Sequence, residues 1–385
     1  MKIVFIIPIL GGGGAEIMLG AICEELINQN HHVKLICLQP HHPTFENFPN
    51  KEFVLHELKP VIIQSKVTFS LFRKTTIDNT EFLSIIDEFR PDIIHSHLYN
   101  SELIAYSTIR RNICYFSHAH DNMRQLRRFS WRFLLNKKDF TDYYESRWLK
   151  RRYQKANASF IAISGNSQNF LKRNLPSFFD TRIHLLHNAI RLDRFYSKES
   201  KNNKIQLISV GNLVPKKNHT LIIDVASELR RRKIPFDVHI LGYGMLKSEL
   251  LNKIDNEDLN DSVHLHGNVK NVEDYLSNSD IYLHTAIEEP FGLVLVEAMA
   301  AGLPIVCTNG GGNSDLIVED YNGFLVNEFD AELLADKIEF LIKNPEKSLE
   351  MGRNAQVFSK QFDISTYVRN LVQLYSNEID RNKTC

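Results

Sequence analysis

The sequence predicts an α/β protein built from two doubly wound domains, and three observations support this prediction. Short β-branched segments alternate with helix-length amphipathic segments along most of the 385 residues, which is the pattern of parallel sheets covered by crossover helices. The length is more than twice the roughly 150 residues of one domain, which favours two domains. Each half also begins with a hydrophobic strand that leads into glycine and then a helix, at residues 3–14 and from residue 205.

Two sets of segments have the length and β-branched content of buried strands. Those of the first half are 3–9, 33–38, 53–58, 92–95, 113–116, 160–163 and 183–187. Those of the second half are 205–210, 236–241, 263–266, 281–284, 305–308 and 324–326. The polar run 197–204 is the predicted linker, so the domains extend over 1–195 and 205–365. Because ligands bind beyond the carboxyl ends of such strands, the cleft between the two domains is the expected site.

Composition excludes several classes of protein. Lys plus Arg and Asp plus Glu both total 46, so the formal charge is zero and any basic function must be local. Hydrophobic residues make up 43%, which excludes a disordered chain or a collagen-like fibre. The five cysteines form no C-x-x-C pair and favour a reducing, cytosolic compartment. No apolar stretch approaches the roughly 18 residues of a transmembrane helix, and the apolar start is predicted to be a buried strand rather than a secretory leader.

The glycine run 11–14 follows the first predicted strand and does not fit a dinucleotide-binding fingerprint. Counting from its first or second glycine puts Glu16 or Ile17 where the third glycine of G-x-G-x-x-G belongs. A flexible loop at a helix N-terminus remains, in which the amides of Gly13 and Gly14 could bind phosphate or sugar oxygens. A plain tight turn is the alternative.

Residues 288–304, EEPFGLVLVEAMAAGLP, form the most informative segment. Glu289 and Glu297 flank a predicted helix start at Gly292, where free N–H groups and the positive end of the helix dipole favour a diphosphate. This order suits a nucleotide sugar, with Glu297 on the ribose, the amides on the diphosphate and Glu289 on the sugar. Two glutamates on a solvated helix are the alternative, and the apolar residues between them argue against it. The loop VGNLVPKKN places Lys217 toward the same pocket, where an ammonium could balance a leaving diphosphate.

The segment EPFGLVLVEAMAAGLP closely resembles the E-x7-E motif of retaining family-4 glycosyltransferases. The resemblance extends over about residues 1–365. It implies the GT-B fold, in which two Rossmann-like domains face each other across a cleft, with the C-terminal helix 366–385 packing back on the first domain. It also implies sugar transfer with retention. Further matches occur in the same order at Ala15–Glu16 after the glycine loop, His120–Asp121, Ile163–Ser164, Asn188 with Asp193, Val210–Gly211 with Lys217–Asn218, Leu241–Gly242 with Gly244, and the glycines 310–312 before Asp315.

By this resemblance, the histidine at the end of the strand that precedes Asp121 faces the donor sugar, which favours His120 over His118. The family usually has arginine at the position of Asn212, so the phosphate is left either to Lys217 and helix amides, with Lys216 solvated, or to both lysines. The predicted catalytic residues are His120, Lys217 and Glu289. The predicted donor-binding residues are Gly13, Gly14, Asn212, Lys217, Glu289, Phe291, Gly292, Leu293 and Glu297.

Two histidine pairs could mimic a metal site, since His95 and His97 alternate on one strand end and His118 and His120 on another. Neither pair is accompanied by a third ligand of clear spacing, and the chain contains no D-x-D to hold a divalent ion under a diphosphate. The sequence therefore predicts no metal and no cofactor.

Residues 124–155 hold eleven Lys and Arg against three acidic residues in a chain that is neutral overall. Both tryptophans, Trp131 and Trp148, lie within this stretch. Basic and aromatic residues interleaved at helical spacing favour an anionic membrane surface, on which a lipid-linked acceptor would be presented. An ordinary solvated helical pair is the alternative, and no nucleic-acid motif accompanies the stretch.

Together these features predict a cytoplasmic glycosyltransferase, located at the inner face of the membrane if the basic stretch binds it. The donor is a nucleotide-diphosphate sugar, with UDP favoured over GDP, and the acceptor is a glycan or lipid-linked hydroxyl in bacterial cell-surface polysaccharide or glycolipid synthesis. A nucleotide-sugar epimerase of the same fold and a non-catalytic nucleotide-sugar binding protein are the alternatives. The presence of both His120 and Lys217 favours catalysis.

Overall fold

The computed structural model describes residues 1–39, 60–64, 67–70, 73–127, 137–197 and 204–384. The chain divides into two compact units, the first formed by Met1–Asn188 with Ile364–Cys385 and the second by Ala189–Asp363. The predicted strand 53–58 and most of the predicted linker lie outside the described residues.

The first unit contains a seven-stranded sheet and a separate two-stranded hairpin. The strands are β1 (Lys2–Ile7), β2 (His32–Cys37), β3 (Val61–Ile62), β4 (Val67–Ser70), β5 (Arg73–Ile77), β6 (Ile93–His97), β7 (Cys114–Ala119), β8 (Ser159–Ala162) and β9 (Ile183–Leu185). The large sheet is parallel and has the order β3-β2-β1-β6-β7-β8-β9, while β4 and β5 pair antiparallel. The short strands β3, β4 and β5 were not predicted.

The second unit contains a six-stranded sheet. Its strands are β10 (Ile205–Val210), β11 (Phe236–Leu241), β12 (Val263–Gly267), β13 (Ile281–His284), β14 (Ile305–Thr308) and β15 (Gly323–Val326). All pairs are parallel, in the order β12-β11-β10-β13-β14-β15. The bounds of β10, β11, β13 and β14 are those predicted. Strands β13 and β14 are buried throughout and β10 and β11 are mostly buried, so short hydrophobic runs between polar segments define them clearly.

Helices connect the strands of both units. They are α1 (Gly14–Asn28), α2 (Thr80–Phe89), α3 (Tyr99–Ala105), α4 (Lys137–Ala156), α5 (Gly165–Asn174), α6 (His219–Arg231), α7 (Lys247–Asn256), α8 (Val272–Ser277), α9 (Leu293–Ala300), α10 (Ala331–Lys343), α11 (Pro345–Ser359) and α12 (Ile364–Thr384). Side-chain caps fix the starts of two helices. Ser164 and Ser167 form a capping box at the start of α5, and the carboxylate of Asp330 accepts hydrogen bonds from two amides at the start of α10. Among the residues described, none of the helices combines the length and apolar character that spanning a membrane requires.

The C-terminal helix α12 belongs to the first unit, where it contacts α1 and β7. A mostly buried ion pair joins α12 to the rest of the unit. A guanidinium nitrogen of Arg182 lies 2.7 Å from a carboxylate oxygen of Glu378, which belongs to α12. Removing one partner of such a pair leaves an uncompensated charge and costs about 3–5 kcal/mol. The last helix is therefore a structural part of the first sheet's covering layer.

The strand order places the crevice of the second unit. From β10 the chain continues to β11 and β12 on one side and then returns to β13 on the other. In an open parallel sheet, the connections that follow two such strands diverge, and ligands bind beyond the carboxyl ends at this point. The loop that carries Lys217 follows β10, and the loop that carries Glu289 follows β13.

Candidate functional site

Three ionisable side chains meet beyond β10 and β13. Lys217 ends a short 3₁₀ turn after β10, His284 is the last residue of β13, and Glu289 follows five residues later. The ammonium of Lys217 donates to Oε2 of Glu289, and Nε2 of His284 lies 3.0 Å from the same oxygen. Lys217 and Glu289 are thus joined, as the sequence suggested, while the contribution of His284 was not anticipated.

The charges of this cluster are balanced. Burial by itself would raise the pKa of Glu289, but the hydrogen bond from His284 and the charge of Lys217 outweigh it and lower the pKa to about 2. Burial also lowers the pKa of His284, despite the neighbouring carboxylate. At neutral pH the cluster is therefore a cation, an anion and a neutral imidazole that donates Nε2–H.

Backbone hydrogen bonds hold the loop of Glu289 in place. The amide of Ile287 donates to the carbonyl of Lys216 at 2.8 Å, and the amide of Glu289 donates to the carbonyl of Gly310 at 2.8 Å. The amide of Gly312 in turn donates to the carbonyl of Glu289 at 2.8 Å. A Cβ at Gly312 would lie 1.8 Å from the carbonyl oxygen of Pro290, so only glycine permits this approach. The position of the carboxylate is therefore set before any ligand binds.

Helix α9 begins where the sequence predicted. Its N-cap is Gly292, whose φ of +100° is favourable only for glycine, and the first-turn amides follow it. Phe291 is 1% exposed and packs edge-on against Phe362, with ring centroids 5.8 Å apart. Its predicted contribution to donor binding is therefore available only through the backbone, whereas the side chain of Leu293 is partly exposed.

Glu297 lies in the second turn of α9 and is partly buried. Burial raises the pKa of this carboxyl to about 7, the charge of Arg194 opposes the rise, and the charge of Glu273 adds to it. Arg194 and Glu273 form an ion pair of their own at 3.3 Å. The ionisation of Glu297 therefore responds to pH changes near neutrality. Neither Arg194 nor Glu273 was predicted from the sequence as its neighbour.

The flanking loop exposes Asn212 and Lys216. Lys216 contributes to the site through its carbonyl, while its ammonium is at the surface. Asn212 presents a short uncharged side chain where the family usually has arginine, so the loop carries one charge fewer there.

In the first unit, Gly13 is the N-cap of α1 and Gly14 is its first residue. The carboxylate of Glu16 lies over this end of the helix and accepts hydrogen bonds from the amides of Gly13 and of Glu16 itself. Burial raises the pKa of Glu16, and these hydrogen bonds oppose the rise. A Cβ at Gly13 would lie 2.2 Å from Oε2 of Glu16. An anion bound to the Gly13 amide would have to displace this carboxylate.

Four histidines of the first unit, His95, His97, His118 and His120, lie together. Nδ1 of His97 is 2.7 Å from Nε2 of His120, and Nδ1 of His95 is 2.6 Å from the hydroxyl of Tyr375. Burial lowers the pKa of His120 to about 4, so its imidazole is neutral at pH 7. His118 is fully buried whereas His120 is partly exposed, so His120 is the better placed of the two to meet a ligand.

The basic stretch 124–155 is described only in part, and residues 128–136, with Trp131, lie outside the described residues. Trp148 packs against the first core and stacks on Arg152, whose guanidinium lies 4.9 Å from the ring centroid. Arg147, Arg151 and Lys155 are exposed along one face of α4. The surface of this helix is therefore a basic stripe whose tryptophan faces inward.

Two families account for most of the chain. Residues 12–194 match Glycosyltransferase Family 4, and residues 192–358 match Glycosyl transferases group 1. Among curated relatives, an uncharacterized glycosyltransferase of Methanocaldococcus jannaschii is 27% identical over 57% of this chain and 60% of its own length. The N-acetylgalactosamine-N,N'-diacetylbacillosaminyl-diphospho-undecaprenol 4-alpha-N-acetylgalactosaminyltransferase of Campylobacter jejuni is 27% identical over 55% of this chain and 58% of its own. These matches thus span little more than half of either relative.

Solved structures establish the fold over the whole length. The Anabaena protein HepE in complex with UDP has a TM-score of 0.79 at 19% identity and covers 98% of this chain and 100% of its own. Its complex with UDP-glucose gives 0.77 at 21% identity, with the same coverage. The two family matches follow one another along the chain, and the structure contains two parallel Rossmann-like sheets. The chain therefore belongs to the group 1, family-4 glycosyltransferases and has the GT-B fold.

Proposed function

We propose that this protein transfers a sugar from a nucleotide-diphosphate sugar to an acceptor hydroxyl, with retention at the anomeric carbon. The observation that carries the proposal is the balanced cluster of Lys217, Glu289 and His284 beside the amino end of α9. A cation, a carboxylate and free helix amides in one crevice match the charges of a diphosphate and of a sugar that becomes positive as it leaves. Glu297 on the same helix supplies the carboxylate for the ribose hydroxyls.

Each residue has a stated part in this proposal. The ammonium of Lys217 stabilises the negative charge that develops on the leaving diphosphate. This stabilisation acts mainly in the transition state. Oε2 of Glu289 is occupied by Lys217 and His284, so Oε1 is the oxygen assigned to a sugar hydroxyl. The first-turn amides from Gly292 and Leu293 bind the phosphates, and Asn212 contributes a neutral contact.

From the first unit we assign His120, Gly13 and Gly14 to the donor. Nε2 of His120 is engaged with His97, so Nδ1 would make the hydrogen bond to the sugar. The Gly13 and Gly14 amides would approach the donor only after Glu16 moves aside. These assignments are supported by the resemblance of the loop and of the His120–Asp121 pair to the family pattern.

The relatives support a choice of substrates. HepE was solved with UDP and UDP-glucose, and the Campylobacter enzyme is named for an acceptor on diphospho-undecaprenol. We therefore propose a UDP-sugar donor and a lipid-linked glycan acceptor, with the reaction in bacterial cell-surface polysaccharide synthesis at the cytoplasmic face of the membrane. No divalent ion is assigned to the diphosphate, since Lys217 and the helix amides supply the positive charge.

The test is a thermal-shift screen of UDP-, GDP- and ADP-sugars, followed by turnover with an acceptor and NMR of the anomeric product. A donor at 100 times its dissociation constant should add about 2.7 kcal/mol of stability. An α-product from an α-linked donor supports retention, and a β-product refutes it. An altered nucleotide sugar formed without acceptor would indicate an epimerase, and binding without turnover with any glycan acceptor would indicate a binding protein. If no nucleotide sugar stabilises the chain, the proposal is wrong.

A further inference from the structure

We propose that His95, His97 and His118 form a binding site for a divalent transition-metal ion, zinc by its ligand chemistry, inside the first unit. The ion would be bound by three imidazole nitrogens and one solvent molecule. The proposal uses only residues of the first unit, and metal binding can be measured without sugar transfer, although His97 also contacts His120.

The sheet register brings the three rings together. Strands β6 and β7 are parallel neighbours, with His97 opposite His118. Because side chains alternate along a strand, His95 and His97 point to one face of the sheet, and His118 points to the same face from the next strand. The ring centroids are 4.5 Å apart for His95 and His97, 4.7 Å for His97 and His118, and 5.2 Å for His95 and His118. The third ligand that the sequence did not show is thus supplied by strand pairing.

The spacing is close to that of a metal site. One nitrogen from each of the three rings lies within 4.8 Å of the others. Zinc–nitrogen bonds of about 2.0–2.1 Å in a tetrahedral arrangement separate the nitrogens by about 3.3–3.4 Å. The rings would therefore close by about 1.5 Å, which small rotations of χ1 and χ2 can supply.

The buried nitrogens also lack other partners. Among the described residues, Nε2 of His95, Nε2 of His97 and both ring nitrogens of His118 complete no hydrogen bond, although the Asn188 side chain lies beside His118. A buried polar atom left in this state costs about 1–3 kcal/mol, and so many in one cluster require an explanation. A metal ion would occupy these lone pairs.

For His95 and His97, the opposite ring nitrogen has the kind of partner that a metal-bound histidine needs. Nδ1 of His95 meets the hydroxyl of Tyr375 at 2.6 Å, and Nδ1 of His97 meets His120 at 2.7 Å. If Nδ1 carries the proton in both rings, each Nε2 presents a lone pair to the ion, which is the usual arrangement around zinc. Three imidazoles without thiolate or carboxylate suit zinc and the neighbouring ions of the same row, and do not suit magnesium or calcium.

The second unit provides a matched control. His239, His264 and His266 also cluster, but both ring nitrogens of His239 are already bonded, to His266 and to Gln206, each at 2.9 Å. These rings offer no equivalent set of free lone pairs. A variant His239→Gln should therefore leave zinc binding unchanged.

The experiment is a titration of the full chain, without an affinity tag and stripped by a chelator, with zinc chloride under chelator competition and with cobalt chloride under visible spectroscopy. We expect one zinc per chain, a higher unfolding temperature with zinc, and the visible bands of four-coordinate cobalt. His97→Gln and His118→Asn should each weaken binding at least tenfold, and Tyr375→Phe should weaken it about 10- to 100-fold through the lost partner of His95.

Either of two results would overturn the site. One is less than a tenth of an equivalent of tightly held zinc in the wild type. The other is zinc binding that His118→Asn and Tyr375→Phe leave unchanged while His239→Gln removes it. If His97→Gln fails to fold, the cobalt spectrum of the wild type and the folded Tyr375→Phe variant decide the question.

Discussion

Each unit places an ionisable cluster toward the carboxyl ends of parallel strands, β6 and β7 in the first unit and β10 and β13 in the second. The clusters differ in how their charges and hydrogen bonds are satisfied. In the second unit, Lys217 and Glu289 neutralise one another and His284 adds a neutral donor. In the first unit, His95, His97 and His118 are neutral because burial lowers their pKa, and they keep nitrogens that find no hydrogen-bond partner among the described residues. One cluster is complete in its charges, while the other lacks a central partner.

This difference indicates what each cluster can bind. A preformed ion pair can reorganise around an anion with little change in net charge, so the second unit suits a diphosphate. A set of neutral imidazoles gains most from a cation that accepts lone pairs. The carboxyl ends of parallel strands therefore suit two chemistries, depending on whether carboxylate and ammonium or imidazole side chains lie there.

The largest expected effect comes from removing the cation of the second cluster. Lys217→Ala should lower kcat by roughly 100-fold or more while donor affinity changes less, because the ammonium acts on charge that develops in the transition state. Steady-state kinetics with the donor found in the screen would measure this. Lys216→Ala is the control, since its side chain is exposed and only its carbonyl supports the loop. Equal losses in both variants, or an unaltered turnover number in Lys217→Ala, would remove the special role of Lys217.

The carboxyl of α9 should make donor binding depend on pH. Glu297→Ala should weaken binding by about 1.5–3 kcal/mol, or about 10- to 150-fold, through lost charge-assisted hydrogen bonds. Since the pKa of Glu297 is about 7, wild-type affinity should fall by up to about tenfold per pH unit below 7. Calorimetry from pH 5.5 to 8 with an intact nucleotide sugar checks both points. A wild-type affinity that stays flat over this range would contradict the assignment.

The basic stripe of α4 sharpens the comparison outside the two clusters. Three basic residues of this stripe are exposed: Arg147, Arg151 and Lys155. Each contributes up to about 1 kcal/mol near an anionic surface, so together they could change binding by up to about 150-fold. We expect co-sedimentation with anionic liposomes, release by high salt over a screening length of about 8–10 Å, and loss of binding when all three become glutamate. Arg152 is left unchanged, since it stacks on Trp148 and donates to the Ser107 carbonyl at 3.2 Å.

The matched control changes three exposed lysines of the second unit, Lys247, Lys270 and Lys360, to glutamate, which alters net charge equally. This variant should still bind anionic liposomes. If it loses binding to the same degree, net charge and not the stripe is responsible. If the wild type ignores anionic liposomes at low salt, the stripe is a solvated helix surface.

Much of the fold follows from the sequence because its strands are short, buried on both faces and separated by polar segments. The strands Ile281–His284 and Ile305–Thr308 are buried throughout, and their limits were predicted correctly. The strands Val67–Ser70 and Arg73–Ile77 were missed, and they pair antiparallel in a separate two-stranded sheet rather than in the parallel sheet on which the prediction rested. Burial periodicity therefore predicts the sheets and misses their additions.

The candidate site was predictable to the extent that it lies in contiguous motifs. The segment containing Glu289 and Glu297 predicted a helix start, and the structure shows it. His284 was visible only as the end of a predicted strand, and Arg194 lies far along the chain from Glu297, to which only the tertiary fold brings it. The histidine cluster likewise depends on the register of β6 and β7, which spacing along the chain does not reveal.

The two units can also be compared through one buried carboxyl in each. Burial raises the pKa of Glu102 and that of Glu297 from 4.5 to about 7. The carboxyl of Glu102 accepts hydrogen bonds from the hydroxyls of Ser117 and Tyr153. Each carboxyl therefore lowers the free energy of unfolding. This destabilisation grows as pH rises from 4.5 to 7 and stays constant above pH 7. Replacement by glutamine should recover up to about 3 kcal/mol at Glu102 and, because it is partly exposed, about 1–2 kcal/mol at Glu297.

Urea unfolding at pH 8 and at pH 4.5 measures this effect, and the gain should shrink toward the lower pH. Glu297→Gln should also abolish the pH dependence of donor affinity, while Glu102→Gln should keep it. A gain in stability that is the same at both pH values would show that the substitutions act through packing rather than through ionisation.

The smallest expected effect concerns the charge missing from the second cluster. Asn212 is exposed beside the loop of Lys217, so an arginine there would place a guanidinium near the diphosphate without disturbing the buried pair. An exposed charge contributes about 0.2–1 kcal/mol, so Asn212→Arg should strengthen donor binding by a factor of about 1.4 to 5. Asn212→Gln is the control for side-chain length and should change little. Calorimetry at low and at physiological salt measures the donor affinity of both variants. A gain in affinity that falls with salt would show that the loop retains space for a second cation. An unchanged affinity would show that Lys217 and the α9 amides already saturate the phosphates.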